Sequence, residues 1–412
     1  MIARIASLYR SQPRQFWILF LGGLVSSTGG AMVWPFLSLY VRQVSGLSLT
    51  TVGLLLGLSA VAGIVTQPAA GTLVDRFGRR WGMLFSMAGL AVVNIGFILF
   101  PSLESFVILS TLSGAIWPVG MIATNAMVAD LVPPAQRPEA YALLRVAQNV
   151  GFALGPGIGG FMAVRSFTLS FGTAAALSAL IFFLFLFWVG ETLPARSAQR
   201  EERGEGGYRQ VARDLPFLAF NVGNTLLQMA YMPMLTLLAI FLKEVRGIPE
   251  SGFGLLMTTN GAMIVLFQLP VARFIKRYPR MSVMAVGSLL VALGSGSVAY
   301  LSSFALLWLA AVVYTIGELL WAPTSLAVVA DLAAPELRGR YMAVHSLSGG
   351  VARGLGPVAL GYVNDTISPA ALWQGTLLLG LLAAGVFWVL GLRAKPRPVE
   401  PLPAIGGGDR WP

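Results

Sequence analysis

Glu318 is a carboxylate inside a long apolar run, and Tyr314, Trp321 and Ser325 fall one, one and two helical turns from it, so all four share one face of a helix. A charged side chain at mid-membrane costs about 2.5–3.5 kcal/mol on insertion scales, so it is kept only where it is paired, neutral or in a wet cavity. Desolvation favours its protonated form, and an approaching cation favours its charged form. A proton and a cation that compete for one carboxylate expel each other, and reciprocal linkage turns that competition into exchange. The structural alternative is that Glu318 neutralises Arg353 or Arg145, which also lie inside apolar runs.

Other runs carry matching polar faces. Asn221, Asn224, Gln228 and Tyr231 recur at helical spacing, as do Trp117, Met121 and Asn125, and Tyr141, Arg145, Gln148 and Phe152. These faces are expected to surround a central cavity. Trp117, Trp321, Tyr231 and Phe152 offer cation–π contacts and apolar area to a lipophilic cation, and Met121, Met229, Met232 and Met234 let the wall repack around dissimilar molecules. His345, at the start of an apolar run, reads as a headgroup residue rather than a relay.

A second set of charges lies between apolar runs. Gly71 to Arg80 reads as a charged turn, and Asp75, an acid that membrane orientation does not require, points to a gate. Gly71 is expected to let its helix approach a neighbour closely. Asp75 is expected at a helix N-terminus across the molecule, with Arg76 or Arg79 reaching Asp130, and Gly78 completes the turn. Each exposed pair is worth only about 0–1 kcal/mol, yet a few together shift an equilibrium between states that differ by a few kcal/mol. From Gly151 to Gly160, small residues at Gly151, Gly155, Gly159 and Gly160, with Pro156 between them, predict close helix packing and a dry seam.

Composition fixes the solvent around these groups. Hydrophobic residues make up 56% of the 412 and charged residues 11%, against about 25% charged in an average soluble chain. The chain is therefore an integral membrane protein. There is no cysteine, and no metal cluster, nucleotide-binding loop or nucleophile–base arrangement appears, which leaves enzymatic and ATP-driven chemistry without residues to carry it. The net charge of +11 lies in short loops, so orientation during insertion explains it without nucleic acid.

Apolar runs long enough to cross the hydrocarbon are predicted near 16–42, 50–70, 81–101, 105–128, 139–164, 168–190, 215–243, 251–272, 282–302, 304–328, 341–363 and 370–392. One offset of 201 positions carries Gly46 onto Gly247, Arg79 onto Arg280, Asp130 onto Asp331 and Gly155-Pro156 onto Gly356-Pro357. The same offset maps Trp117 onto Glu318. The expected fold is all-α, with twelve transmembrane helices in two pseudo-symmetric six-helix bundles related as parallel repeats. The bundles are expected over 1–190 and 214–395, joined by a mixed-charge cytoplasmic linker over 191–213, with a disordered Pro/Gly-rich tail over 396–412. Arg42, Arg165, Lys243 and Arg246 fall opposite the termini and Arg145 and Arg353 inside spans, leaving 22 of the 28 basic residues on the terminal side. That bias predicts both termini in the cytoplasm.

The residues from Gly71 to Arg80 resemble the loop motif of the major facilitator superfamily, and Gly151 to Gly160 is similar to the helix 5 motif of its drug:proton antiporters. The resemblance covers about residues 16–392. Tyr314 to Glu318 with Pro323-Thr324, and Asn125-Ala126-Met127 before Asp130, are similar to multidrug antiporters of that branch, which implies proton coupling at Glu318. Ser110 stands where the family carries an arginine on helix 4, and helix 1 lacks the acid many drug antiporters have, which shifts weight onto Glu318. The resemblance implies a secondary active multidrug efflux transporter of the cell inner (plasma) membrane. It would exchange hydrophobic, cationic compounds for protons, work as a monomer, use no cofactor and be driven by the proton gradient. A lipid or glycolipid flippase, a sugar or metabolite exporter of the same fold, or a non-transporting membrane sensor are the alternatives. Its partners would be small hydrophobic substrates, protons and membrane lipid.

Overall fold

The computed structural model describes residues 12–193, 208–333 and 337–393. The expected tail over 396–412 and most of the linker lie outside the described residues. Within them, long helices follow the predicted runs: α1 Arg14–Ser45, α2 Leu49–Phe77, α3 Arg79–Leu99, α4 Leu103–Leu131, α5 Arg137–Arg165 and α6 Phe167–Trp188. After a one-turn helix at Tyr208–Val211 come α7 in two segments, Leu215–Thr236 and Leu238–Arg246, then α8 Glu250–Ile275, α9 Arg280–Ser297, α10 Phe304–Leu332, α11 Arg338–Thr366 and α12 Pro369–Arg393. Among the described residues, nine are long and apolar enough to cross a membrane unaided, and the two segments of α7 together make a tenth. The other two, α5 and α11, are 29 residues each, and their polar faces dilute their hydropathy.

Packing repeats across the offset. In the first half α1 packs on α5 and α6, α4 on α2 and α3, and α3 on α6; in the second, α7 packs on α11 and α12, α10 on α8 and α9, and α9 on α12. Two seams join the halves, α5 on α8 and α2 on α11. The repeat reaches single residues. Gly46 and Gly247 end α1 and α7 with φ of 64° and 66°, a left-handed conformation that glycine adopts without steric cost. Arg79 pairs with Asp130, and Arg280 with Asp331, each joining the start of a third helix to the end of a fourth.

The seams are tight at the end away from the termini. A Cβ on Gly254 would lie 2.6 Å from the Pro156 carbonyl oxygen, and one on Gly361 2.6 Å from that of Leu49. There the Ser38 hydroxyl donates to the Thr236 carbonyl, Arg42 pairs with Glu244 at 3.0 Å, and Phe36 meets Phe253 edge-on. The Asp365 carboxylate accepts from the Leu49 and Thr50 amides at 3.2 and 2.8 Å and from the Thr50 hydroxyl at 2.7 Å, so the end of α11 caps the start of α2. The diversion of the Thr236 carbonyl to Ser38 coincides with a 53° bend in α7, one turn after Pro233. The far end is thus closed by contacts between the halves.

The motif from Gly71 to Arg80 is not a loop. It is the last two turns of α2 followed by one linking residue, Gly78, whose φ of 108° breaks the helix. Gly71 approaches nothing within 4 Å, so the close contact expected of it is absent from this structure.

Candidate functional site

Three helices of the second half converge on Glu318. Midway along α10, its Oε1 accepts the Tyr231 hydroxyl of α7 at 2.8 Å, and its Oε2 accepts Asn260 Nδ2 of α8 at 2.8 Å. The Asn260 amide also donates to Thr315 Oγ1 at 3.0 Å, whose own hydroxyl goes to the Ala311 carbonyl. Tyr231 stacks on Tyr314 with centroids 5.1 Å apart and meets the edge of Trp321 at 5.6 Å. Of the face expected from spacing, only Glu318 is half-buried; Tyr314, Trp321 and Ser325 are buried, so the carboxylate is held by neutral donors at the edge of a packed core. Glu318 makes no ion pair among the described residues, so the structural pairing with Arg353 or Arg145 does not occur.

Asn260 and Thr315 are not among the residues that helical spacing singles out. Asn260 is an amide in the middle of an apolar run, and that is the one signal the sequence offers; its partner follows only from how α8 packs on α10. Tyr314 and Asn224 are fully buried, and Trp321 is buried in the core as well, rather than on the cavity surface. Tyr314 supports Tyr231 from behind, donating to its backbone carbonyl at 3.1 Å, and Asn224 donates to Ser348 of α11 at 2.9 Å inside the α7–α11 contact. Gln228 is half-buried beside Gly349 of α11. His345 is buried, bonded to Asn221 at 3.0 Å and stacked on Phe220, which corrects its reading as a headgroup residue.

In the first half, Tyr141, Arg145, Gln148 and Phe152 are exposed along one stripe of α5. Gly151 and Gly155 turn toward α1, and Ala153, Gly157 and Gly160 toward α8. Leu154, Ile158 and Phe161, on the side opposite the stripe, are exposed toward lipid. The stripe therefore faces the interior between the halves. With the far end closed, it is reached from the end at which α1 begins and α12 finishes. Trp117 of α4 is 54% exposed and Asn125 is exposed beside it; the Asn125 carbonyl takes the Tyr141 hydroxyl at 2.9 Å, and Met121 is half-buried.

The glycine motif on α5 serves two contacts. Gly151, Gly155 and Gly159 seat α5 on Ser27, Thr28 and Met32 of α1 within the first half, while the Pro156 carbonyl and Gly160 meet Gly254 and Glu250 of α8 across the seam. Only part of it belongs to the seam expected between the halves.

Around Gly78 the charges form one cluster. Arg79 pairs with Asp75 at 3.2 Å and Asp130 at 3.1 Å, and Asp130 also takes the Thr192 hydroxyl at 3.0 Å. Glu191 sits over the start of α3 and accepts the Arg79 and Arg80 amides at 2.9 and 3.1 Å, so it is part of this cluster rather than of the linker. Asp75 is 71% exposed and its partner belongs to the same half, so it makes no bridge across the molecule in this structure. Arg76 is exposed, 5.5 Å from the Phe77 ring.

The sequence profile of the Major Facilitator Superfamily matches residues 19–249 and 220–411. YttB of Bacillus subtilis (strain 168), an uncharacterized MFS-type transporter, is 26% identical over 93% of this chain and 96% of its own length. A Na(+), Li(+), K(+)/H(+) antiporter of Planococcus maritimus is 25% identical over 84% and 89%. The quinolone resistance protein NorA of Staphylococcus aureus (strain N315) is 30% identical over 42% of this chain and 44% of its own. Among solved structures, a POT family transporter in complex with a thioalcohol-conjugated peptide superposes with a TM-score of 0.74 at 16% identity, covering 92% and 95%, and the nucleoside transporter NupG with 0.75 at 15%, covering 92% and 98%. At those identities the likeness is one of fold.

Proposed function

The chain belongs to the major facilitator superfamily and is a multi-pass secondary transporter; we propose that it exports hydrophobic compounds from the cytoplasm in exchange for protons, with Glu318 as the proton carrier. The observation that carries this reading is the setting of Glu318: midway along α10, with neutral donors on both oxygens and no basic partner among the described residues. Tyr231 and Asn260 keep a carboxylate competent in the charged form, and with no direct ion-pair partner among the described residues its charge is balanced by a proton or by a cationic group on the substrate. A cationic group arriving from the cytoplasm displaces the proton, and a proton arriving from outside displaces the cationic group.

The membrane is the plasma membrane, with both termini cytoplasmic as the basic loops direct. The cavity then opens inward, and the contacts of Ser38, Arg42 and Asp365 form the outer seal. In the alternate state Asp75, now exposed, takes a partner across the inner end. The transported molecule is amphipathic, lying against Trp117 and Tyr231.

The test is proton release when tetraphenylphosphonium is added to proteoliposomes, wild type beside Glu318→Gln. Release by wild type and none by a correctly inserted mutant is the expected result. Equal release by both removes Glu318 from the role. Silence with tetraphenylphosphonium and release with sodium would move the reading to exchange of inorganic cations.

A further inference from the structure

Two guanidinium groups are exposed on stripes of α5 and α11 that face the interior between the halves, with no ion-pair partner among the described residues. Arg145 belongs to the interior stripe of α5, and Arg353 is placed the same way on α11. On that helix Gly354 and Gly361 turn toward α2 and Gly356 toward α7, while Val351 and Leu355 are exposed on the lipid side. Arg353 is exposed on the face opposite those two apolar residues. At ~1.5 Å per residue, Arg145 lies about 12 Å along α5 from its cytoplasmic end and Arg353 about 22 Å along α11, near its middle. Glu318, on α10 of the same half as Arg353 and across from Arg145, is already held by Tyr231 and Asn260.

A guanidinium presents a planar fork of donors that fits a carboxylate or another oxyanion. The cavity therefore carries two fixed positive charges beside one titrating negative one. We propose that the substrate is a zwitterionic amphiphile whose oxyanion is taken by Arg353 and Arg145 while its amine approaches Glu318. The amine follows from the sign of the coupling. An anion without an amine binds better when Glu318 is protonated, which couples the two movements in the same direction, whereas an amine that competes with the proton preserves exchange. This rests on the exchange reading above, and replaces the purely cationic class that Glu318 alone suggests.

Three probes share one fluorescent apolar body: Nε-dansyl-lysine has both groups, dansylcadaverine lacks the carboxylate and dansylaminohexanoic acid lacks the amine. Their binding is measured without a gradient on the full chain in lipid nanodiscs, for wild type, Arg353→Gln, Arg145→Gln and Arg353→Lys. Wild type is expected to bind dansyl-lysine tightest. Arg353→Gln is expected to weaken it about tenfold or more while dansylcadaverine binding is kept or tightened, because a repelling cation is removed, and Arg353→Lys to recover part of the loss. Retained dansylcadaverine binding also shows that the variants are folded. Equal binding of dansyl-lysine and dansylcadaverine by wild type, or equal losses of both in Arg353→Gln, would overturn the proposal. Proton release by dansylcadaverine from wild type alongside either result would leave exchange standing and remove only the zwitterion. Selective dansyl-lysine binding with no proton movement would instead remove the exchange and keep the oxyanion site.

Discussion

Glu318 depends on two neutral neighbours whose chemistry differs little from that of many buried polar groups. Hydrogen bonds to a charged group are worth about 1.5–3 kcal/mol, so Tyr231→Phe and Asn260→Ala should each slow proton exchange by about an order of magnitude or more. Tyr314→Phe should slow it much less, because that hydroxyl bonds the backbone carbonyl of Tyr231 and not the carboxylate. Single-turnover proton release in proteoliposomes separates the three. Equal losses in Tyr231→Phe and Tyr314→Phe would mean that the Tyr231 hydroxyl has no special part in holding the carboxylate.

At the scale of elements, α5 makes two contacts with opposite meanings. A Cβ on Gly155 would lie 2.7 Å from the Thr28 carbonyl of α1, inside one half, whereas one on Gly254 would meet α5 from the other half. Overpacking costs typically about 1–3 kcal/mol. Gly155→Val should therefore lower the thermal unfolding midpoint and the folded yield in any conformation. Gly254→Val should leave the midpoint nearly unchanged if α5 and α8 part when the outer end opens, because the strained contact is then relieved. Melting in detergent, read beside the accessibility of the outer seam, distinguishes the two. A large loss of midpoint in Gly254→Val would show that this seam stays closed throughout the cycle.

For the whole molecule the question is what holds one end shut. The α2–α11 pair runs antiparallel, and each helix carries an aspartate at or near its end: Asp365 caps the start of α2 at the closed end, while Asp75 at the opposite end is exposed. Loss of such a cap costs about 0.5–2 kcal/mol, enough to change a two-state population several-fold. Asp365→Ala should raise the rate at which Thr236→Cys, buried at the seal, reacts with an impermeant maleimide added on the outer side. The absence of native cysteines leaves that label a single target. An unchanged rate would assign the seal to the glycine contacts and Phe36 with Phe253 rather than to Asp365.

The sequence by itself determined the membrane setting, the helical runs, the repeat and the polar face around Glu318, because hydropathy and helical period are local properties and the repeat is written in the spacing of Gly46 and Gly247, and of Arg79 and Arg280. It did not contain the partners of those groups. Which of the polar residues on α7 reach the cavity and which bury themselves against α11 depends on how a helix is rotated among its neighbours, so Asn224 and His345 fell inside a helix contact while Tyr231 met Glu318. Asn260 became part of the site only because α8 crosses α10 at its level. Glu191 joined the Arg79 cluster because the chain after α6 returns to the start of α3. The charges on Arg145 and Arg353 were legible from the start. That they lack ion-pair partners among the described residues was decided by tertiary structure alone, since a free cation is defined by what every other helix fails to bring to it.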